Sequence, residues 1–141
     1  MKLFFDTSVL VAAVSGRHPK HATAFAWLER TQKGDEGFVS THALAELFAV
    51  LTGHPSWRVS PIDGLAGIEA LESNLSIVDL RTADYKAALS RMAELGLTGG
   101  GIYDALHARA ALKVDADVLL TYNAKHFTRL GEDVASLVKI P

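Results

Sequence analysis

Residues 2–14 read KLFFDTSVLVAAV. The first four are a short apolar run suited to a buried strand. Asp6-Thr7-Ser8 then offer helix-capping side chains before VLVAAVS, so the stretch predicts a strand that turns directly into a helix. The same alternation continues outward along the chain. Pro19 stands where a second helix can begin, and Ala22, Phe25, Ala26 and Leu28 carry a helical pattern until KGDEG ends it. Phe38 and Val39 make a second short strand. A helix from Thr41 through Gly53 follows, with Leu44, Leu47, Phe48 and Leu51 at the i, i+3, i+4, i+7 spacing of one apolar face. HPSWRVSP is turn-rich, Ile62 to Leu71 predicts another helix, and Leu75 to Val78 a strand. Thr82 caps a helix through Leu95, Gly96 stops it, and Gly99-Gly100-Gly101 leads into a helix from Ile102 to Lys113. Val118 to Thr121 reads as a fourth strand, Asn123 to Leu130 as a short helical or irregular turn, and Ser136 to Lys139 as a fifth strand. Strands alternating with helices, through connections too long for hairpins, predict an α/β chain with a mostly parallel central sheet covered on both faces.

Composition narrows the chemistry. A chain of 141 residues, 49% hydrophobic and 21% charged, suits one domain spanning residues 1–141 with a sizeable core and no long disordered tail. The absence of cysteine excludes disulfides, zinc-thiolate sites and cysteine nucleophiles, which leaves oxygen ligands as the main option for a metal. No apolar stretch approaches the roughly 20 residues needed to span a bilayer, and the N-terminal run lacks the pattern of a signal peptide. The expectation is therefore a cytoplasmic protein without a membrane partner. A net charge of −2 argues against nucleic-acid binding through bulk positive potential, but a bound divalent cation would reverse the sign locally.

Three acids stand alone in apolar surroundings: Asp6, Glu46 in THALAELFAVLTG, and Asp104 in GGGIYDALHARAAL. A carboxylate beside a hydrophobic core costs several kcal/mol unless a counter-charge or metal compensates it, so the three suggest one shared cationic partner. Asp6 follows the first strand, where ligands collect in open parallel sheets, although a helix cap accounts for it equally well. Glu46 lies roughly 160° around its helix from Leu44, among Ala43, Ala45, Ala49 and Val50, and apart from neutral His42 it is the helix's only ionisable group. A solvent-facing glutamate is the plain alternative. Asp104 falls in the first turn of its helix, where complementing the dipole is explanation enough by itself. Asn123, after the fourth strand, offers an amide oxygen that could complete an oxygen-only shell, or merely suits a turn.

FFDTSVLVA, the AEL of the helix bearing Glu46, YDALHARAA and LLTYNAKHF occur in this order across nearly the whole chain. Together they resemble the PIN-domain proteins, and among these most closely the VapC-type toxins of type II toxin–antitoxin (VapBC) pairs. That resemblance implies a three-layer α/β/α sandwich, metal-dependent endoribonuclease activity on an RNA substrate, a homodimer, and inhibition by a cognate VapB-type antitoxin. It gives Asp6, Glu46 and Asp104 the roles of acidic metal ligands and catalytic residues. Asn123 falls where many members carry a fourth acid. An amide ligates Mg²⁺ without adding charge, so the departure weakens the hold on a second metal.

Hard oxygen donors suit Mg²⁺, with Mn²⁺ as a substitute. One bound water, lowered in pKa, would attack the phosphodiester, and a second metal about 4 Å away would stabilise the leaving oxygen. Thr7, Ser8 and Thr121 read as supporting hydroxyls or as caps. Arg17, His18, Lys20 and His21 form a basic cluster that suits phosphate contact or a solvated loop. His107, three residues after Asp104, either orients that carboxylate or is a partly buried histidine satisfied by the fold. His126, three residues after Asn123, is a candidate to assist proton transfer to a leaving group. Trp57 is either a packed anchor or part of a partner surface. Two rivals remain. A phosphatase of the haloacid dehalogenase type also places Asp after the first strand, but it needs a second Asp where this chain has Ser8. A catalytically weak or inactive PIN-like module that binds RNA or protein is the other, encouraged by Asn123.

Overall fold

The computed structural model describes residues 1–141. Five strands form one sheet: β1 (Lys2–Phe5), β2 (Glu36–Ser40), β3 (Ser76–Val78), β4 (Val118–Leu120) and β5 (Val138–Lys139). Their order is β3-β2-β1-β4-β5, and every adjacent pair is parallel. The alternation in β1 decides the layers. Leu3 and Phe5 point to one face and Phe4 to the other, and their β4 neighbours divide likewise, with Val118 and Leu120 opposite Leu119. A period of two in a fully buried strand thus seeds two cores from consecutive residues.

On the Leu3/Phe5 face pack α1 (Thr7–Val14), α2 (His21–Glu29), α3 (Thr41–Gly53) and α4 (Pro61–Glu72), contributing Val9, Leu10, Ala24, Leu47 and Ile68. On the Phe4 face pack α5 (Thr82–Glu94), α6 (Gly101–Lys113), α7 (Ala124–Thr128) and α8 (Glu132–Ala135), contributing Met92, Leu106, Phe127 and Val134. The result is the three-layer α/β/α sandwich expected. A short 3-10 turn at Arg30–Lys33 and helix α8 were not legible beforehand, because four residues are too few to show a period. No helix is long and apolar enough to cross a membrane.

After β1 the chain moves outward to β2 and β3, then returns to the other side of β1 for β4 and β5. The loops leaving β1 and β4 therefore diverge in opposite directions, and a crevice opens between them at the carboxyl ends of the strands.

One buried acid outside this crevice holds two helices together. Asp84, in the first turn of α5 and 3% exposed, accepts the backbone N–H of Arg81 at 3.0 Å, Lys113 Nζ at 2.7 Å and Arg109 Nε at 3.0 Å. The lysine bond above all, with the Arg81 amide and the guanidinium, holds its carboxyl well below the usual carboxylate range against the opposing effect of burial. Because the folded group is the stronger acid, its contribution is complete above about pH 4 and is lost as pH falls towards the folded value. Asp84→Asn should flatten this acid limb in urea denaturation between about pH 2 and pH 5. Asp84→Ala should cost roughly 2–3 kcal/mol at neutral pH, below the usual loss for a buried pair because both cations are partly exposed.

Candidate active site

The crevice at the switch between β1 and β4 is a cavity of about 550 Å³ whose lining includes Asp6, Glu46, Asp104 and Asn123. Each comes from a different element: the end of β1, the second turn of α3, the first turn of α6, and the residue before α7. The fold thus brings all four expected positions to one opening.

Asp6 is 3% exposed and occupies the N-cap position of α1, yet its side chain makes no capping bond. Its Oδ2 instead accepts from Ser8 Oγ at 2.6 Å and Thr121 Oγ1 at 2.8 Å. These hydroxyls in turn accept the backbone N–H groups of Tyr122 (3.1 Å) and Asn123 (2.9 Å), which fastens the loop after β4 to the carboxylate. Ser8 and Thr121 thus brace Asp6, whereas Thr7 reaches towards His107, 3.4 Å from its Nε2. The Asn123 amide likewise makes no capping bond and lines the cavity.

Asp104, a fifth exposed, has its carboxyl raised by burial and by the neighbouring charge of Asp6, against the pull of His126 and His107. His126 Nδ1 lies 3.3 Å from its Oδ2 at the exposed rim. Glu46 differs from the sequence reading. It is one third exposed, and Ala45, Phe48 and Ala49 around it also face outward, because α3 buries only the stripe Ala43, Leu47 and Leu51. Its Oε1 is bound by His107 Nε2 at 2.8 Å and by His42 Nε2 at 3.0 Å. Burial works to raise the Glu46 carboxyl, but the hydrogen bond and charge of His107, aided by His42, bring it below its ordinary value.

His107 is the histidine satisfied by the fold that its sequence allowed, but its partners were not foreseen. It is fully buried and does not orient Asp104; its Nδ1 meets Ser40 Oγ at 2.8 Å while Nε2 meets Glu46. Burial alone would strip its proton, but the Glu46 hydrogen bond and the fields of Asp6, Glu46 and Asp104 outweigh it and raise the imidazole above its usual value. His42 goes the other way, lowered by burial and by His107 despite Glu46. The three acids are therefore answered unevenly: Glu46 is bound by His107 and His42, whereas Asp104 has only His126 at the rim and is raised by the charge of Asp6. The spacing of His42 and Glu46, one helical turn apart, was a visible signal for part of this. Ser40 and His107, 67 residues apart, offered none.

Asp6, Asp104 and Asn123 all bring oxygen donors to the cavity, and the charge of Asp6 adds to burial in raising the Asp104 carboxyl. Both features fit a hard divalent cation. As the side chains stand, however, no three His, Asp or Glu residues converge as a set that could hold a metal ion. Two carboxylates fit, and the third is engaged elsewhere. Of the basic cluster after α1, His18 and Lys20 line the cavity, Arg17 lines a separate groove, and His21 Nδ1 lies 3.0 Å from the carbonyl oxygen of Ala12.

A family model described as "PIN domain" matches residues 3–133. The chain is 32% identical over 117 residues to Ribonuclease VapC27 of Mycobacterium tuberculosis, covering 82% of this chain and 81% of that protein. It is also 32% identical over 115 residues to Ribonuclease VapC40 of the same organism, with 81% of each covered. In fold it resembles the structure of VapBC2 from Rickettsia felis bound to a DNA fragment from their promoter, with a TM-score of 0.72 at 23% identity and 99% and 98% of the two chains covered. M. tuberculosis VapC20, a sarcin-ricin loop cleaving toxin, superposes with a TM-score of 0.71 at 15% identity, covering 88% of this chain and 92% of that one. With motif order, fold and sequence match in agreement, the chain belongs to the PIN-domain family and, within it, to the VapC-type toxins.

Proposed function

We propose that this chain is the toxin of a toxin–antitoxin pair, restrained by a VapB-type antitoxin, and that it hydrolyses RNA at the cavity lined by Asp6, Glu46, Asp104 and Asn123. The observation that carries this reading is the convergence of Asp6, Glu46, Asp104 and Asn123, from four separate elements, on one cavity at the topological switch. Relatives named as ribonucleases, and toxins solved with their antitoxins, support it.

Asp6, Asp104 and Asn123 are the residues that would hold Mg²⁺ or Mn²⁺, with Glu46 joining through Oε2, the oxygen that carries neither histidine. When bound, such a cation supplies the positive charge that admits a phosphodiester to an acidic cavity and acidifies the attacking water. The chain's own residues do the rest. Ser8 and Thr121 fix Asp6 through Oδ2 and leave Oδ1 to the cavity. Ser40 and His107 fix the rotamer of Glu46. His126, beside Asp104 at the rim, is placed to hold a proton near a leaving oxygen. One domain over residues 1–141 and a homodimer complete the proposal.

A second reading rests on a specific observation: Glu46 is engaged by two histidines, Asn123 is neutral, and no three-ligand set is assembled. That arrangement belongs to a module that binds RNA with weak or no turnover. The side chains as placed favour it, whereas the chemistry of the acids and the ribonuclease relatives favour hydrolysis. Turnover decides between them. Purified protein incubated with single-stranded RNA should cleave it in Mg²⁺ or Mn²⁺ and stop in chelator. Binding without cleavage under any divalent cation would establish the second reading, and cleavage undiminished by chelator would overturn the metal requirement.

A further inference from the structure

The acids occupy one side of the cavity, and the rest of it is built differently. A cation with six waters fills roughly 200 Å³ at about 30 Å³ per water. The cavity holds about 550 Å³, so more than half remains for something else. That remainder is lined by His18, Lys20, His54, Trp57 and Tyr122.

These side chains form an ordered wall. His54 and Trp57 are stacked nearly parallel, with ring centroids 3.5 Å apart and planes 4° apart. His18 meets Trp57 edge-on at 5.4 Å and 62°. Lys20 Nζ sits 4.1 Å from the centre of the Tyr122 ring. Both histidines are oriented by backbone donors: the Ser56 N–H binds His54 Nδ1 and the Lys20 N–H binds His18 Nδ1, each at 3.1 Å. With Nδ1 accepting, a neutral imidazole carries its proton on Nε2 and presents a donor there. Burial, then Lys20 and the other histidines, lower the His18 value, so this ring is neutral near pH 7. The Trp57 indole N–H is the one buried side-chain polar group of the chain without a hydrogen-bond partner. That N–H has almost no accessible surface, so what Trp57 offers the cavity is its ring.

Flat rings, ring N–H donors and a single ammonium are the elements that hold single-stranded nucleic acid: stacking takes the base, donors take its acceptor edge, and the cation takes a phosphate. The wall is also linked to the acids. Glu46 and Val50 lie one turn apart on α3, and His54, the residue that ends this helix, lines the same cavity. Tyr122 adjoins Asn123, and its N–H is tied through Ser8 to Asp6. A base on the wall therefore belongs to a nucleotide flanking the reacting phosphate.

We infer that the His18–Lys20–His54–Trp57–Tyr122 wall is a docking subsite for an unpaired base of single-stranded RNA beside the bond to be cut. The inference rests on the reading that RNA enters this cavity, and the test separates the two. In an Asp6→Asn background with Mg²⁺, binding of a short single-stranded RNA is compared with that of the same strand made abasic and of a duplex. With Trp27→Phe added, Trp57 is the sole indole, and the single strand should quench its fluorescence while the abasic strand should not. Trp57→Ala should weaken the single strand at least about fivefold, leave the abasic strand unchanged, and abolish the preference over duplex. Trp57→Phe, which keeps a smaller ring, should fall between; with His54→Ala, it carries the test if the alanine variant fails to fold. Equal affinity of wild type and variants for the single strand, or equal losses for normal and abasic strands, overturns the subsite while RNA entry stands. Failure of the parent to bind any strand overturns both.

Discussion

Asp6→Asn is expected to lower RNA cleavage by more than about 100-fold, beyond the 10- to 100-fold typical of residues that merely support a metal ligand. The substitution is nearly isosteric. The asparagine side-chain oxygen can still accept from Ser8 and Thr121, so the bonds that fasten the loop after β4 survive. What disappears is the charge that pairs with Asp104. Removing it also relieves part of the repulsion that raises the Asp104 carboxyl, so thermal stability should be unchanged or slightly higher. The two effects together are diagnostic: a gel assay of cleavage shows the loss while a thermal melt shows an intact fold. In a bacterium carrying an inducible copy, wild type should arrest growth and the asparagine variant should not. Full cleavage by the variant would sink the catalytic assignment. If the chain binds RNA without cutting it, the same substitution should tighten binding, since one negative charge leaves a cavity that must admit phosphate.

His107→Ala is expected to cost the most stability of any single change at the site, about 3–4 kcal/mol in urea denaturation. The imidazole is 1% exposed and joins three elements: Ser40 at the end of β2, Glu46 on α3, and its own helix α6. Its removal leaves a cavity and takes one hydrogen bond from each of two polar partners. Ser40 has a second duty as the N-cap of α3, where its hydroxyl accepts the Ala43 N–H at 3.2 Å. Ser40→Ala should therefore cost roughly 1–2 kcal/mol. The double variant should lose less than the sum, because both single changes break the same Ser40–His107 bond. Strict additivity would show that the bond contributes nothing. The alanine variant also releases Glu46 from its stronger histidine, and its residual cleavage at equal folded fraction reports whether that engagement restrains the acid or positions it.

Much of the fold was legible because its signals are local. KLFF followed by Asp-Thr-Ser and an apolar helix places a strand end and a helix start within three residues, and the alternation repeats at Ser40-Thr41 and after Val118-Leu119-Leu120. A sheet with such connections can only be parallel and covered on both sides. The positions that would come together were legible in part, since each follows a strand or opens a helix and those ends collect at one edge of a parallel sheet. The partners of the acids were not legible. His107 serves Glu46 across 61 residues, and the aromatic wall joins residues of the α1–α2 loop, the α3–α4 loop and the β4–α7 loop. No periodicity connects such segments.

Asp84 and Asp104 show where sequence stops. Both lie in the first turn of a helix, and in both the helix dipole accounts for an acid there. The argument that an acid near a core requires a cation applies most fully to Asp84, which the sequence gives no reason to single out. By itself the sequence determined the strands, the longer helices, their parallel arrangement and the order of the acids, because capping, periodicity and strand length act over a few residues. Only the tertiary structure decided which acid is answered from within the protein. Asp84 meets Lys113 and Arg109 where α5 packs on α6, Glu46 meets His107, and Asp104 shares its cavity with Asp6. Coulomb energies act through space, so the field at a carboxylate depends on neighbours that chain order does not place.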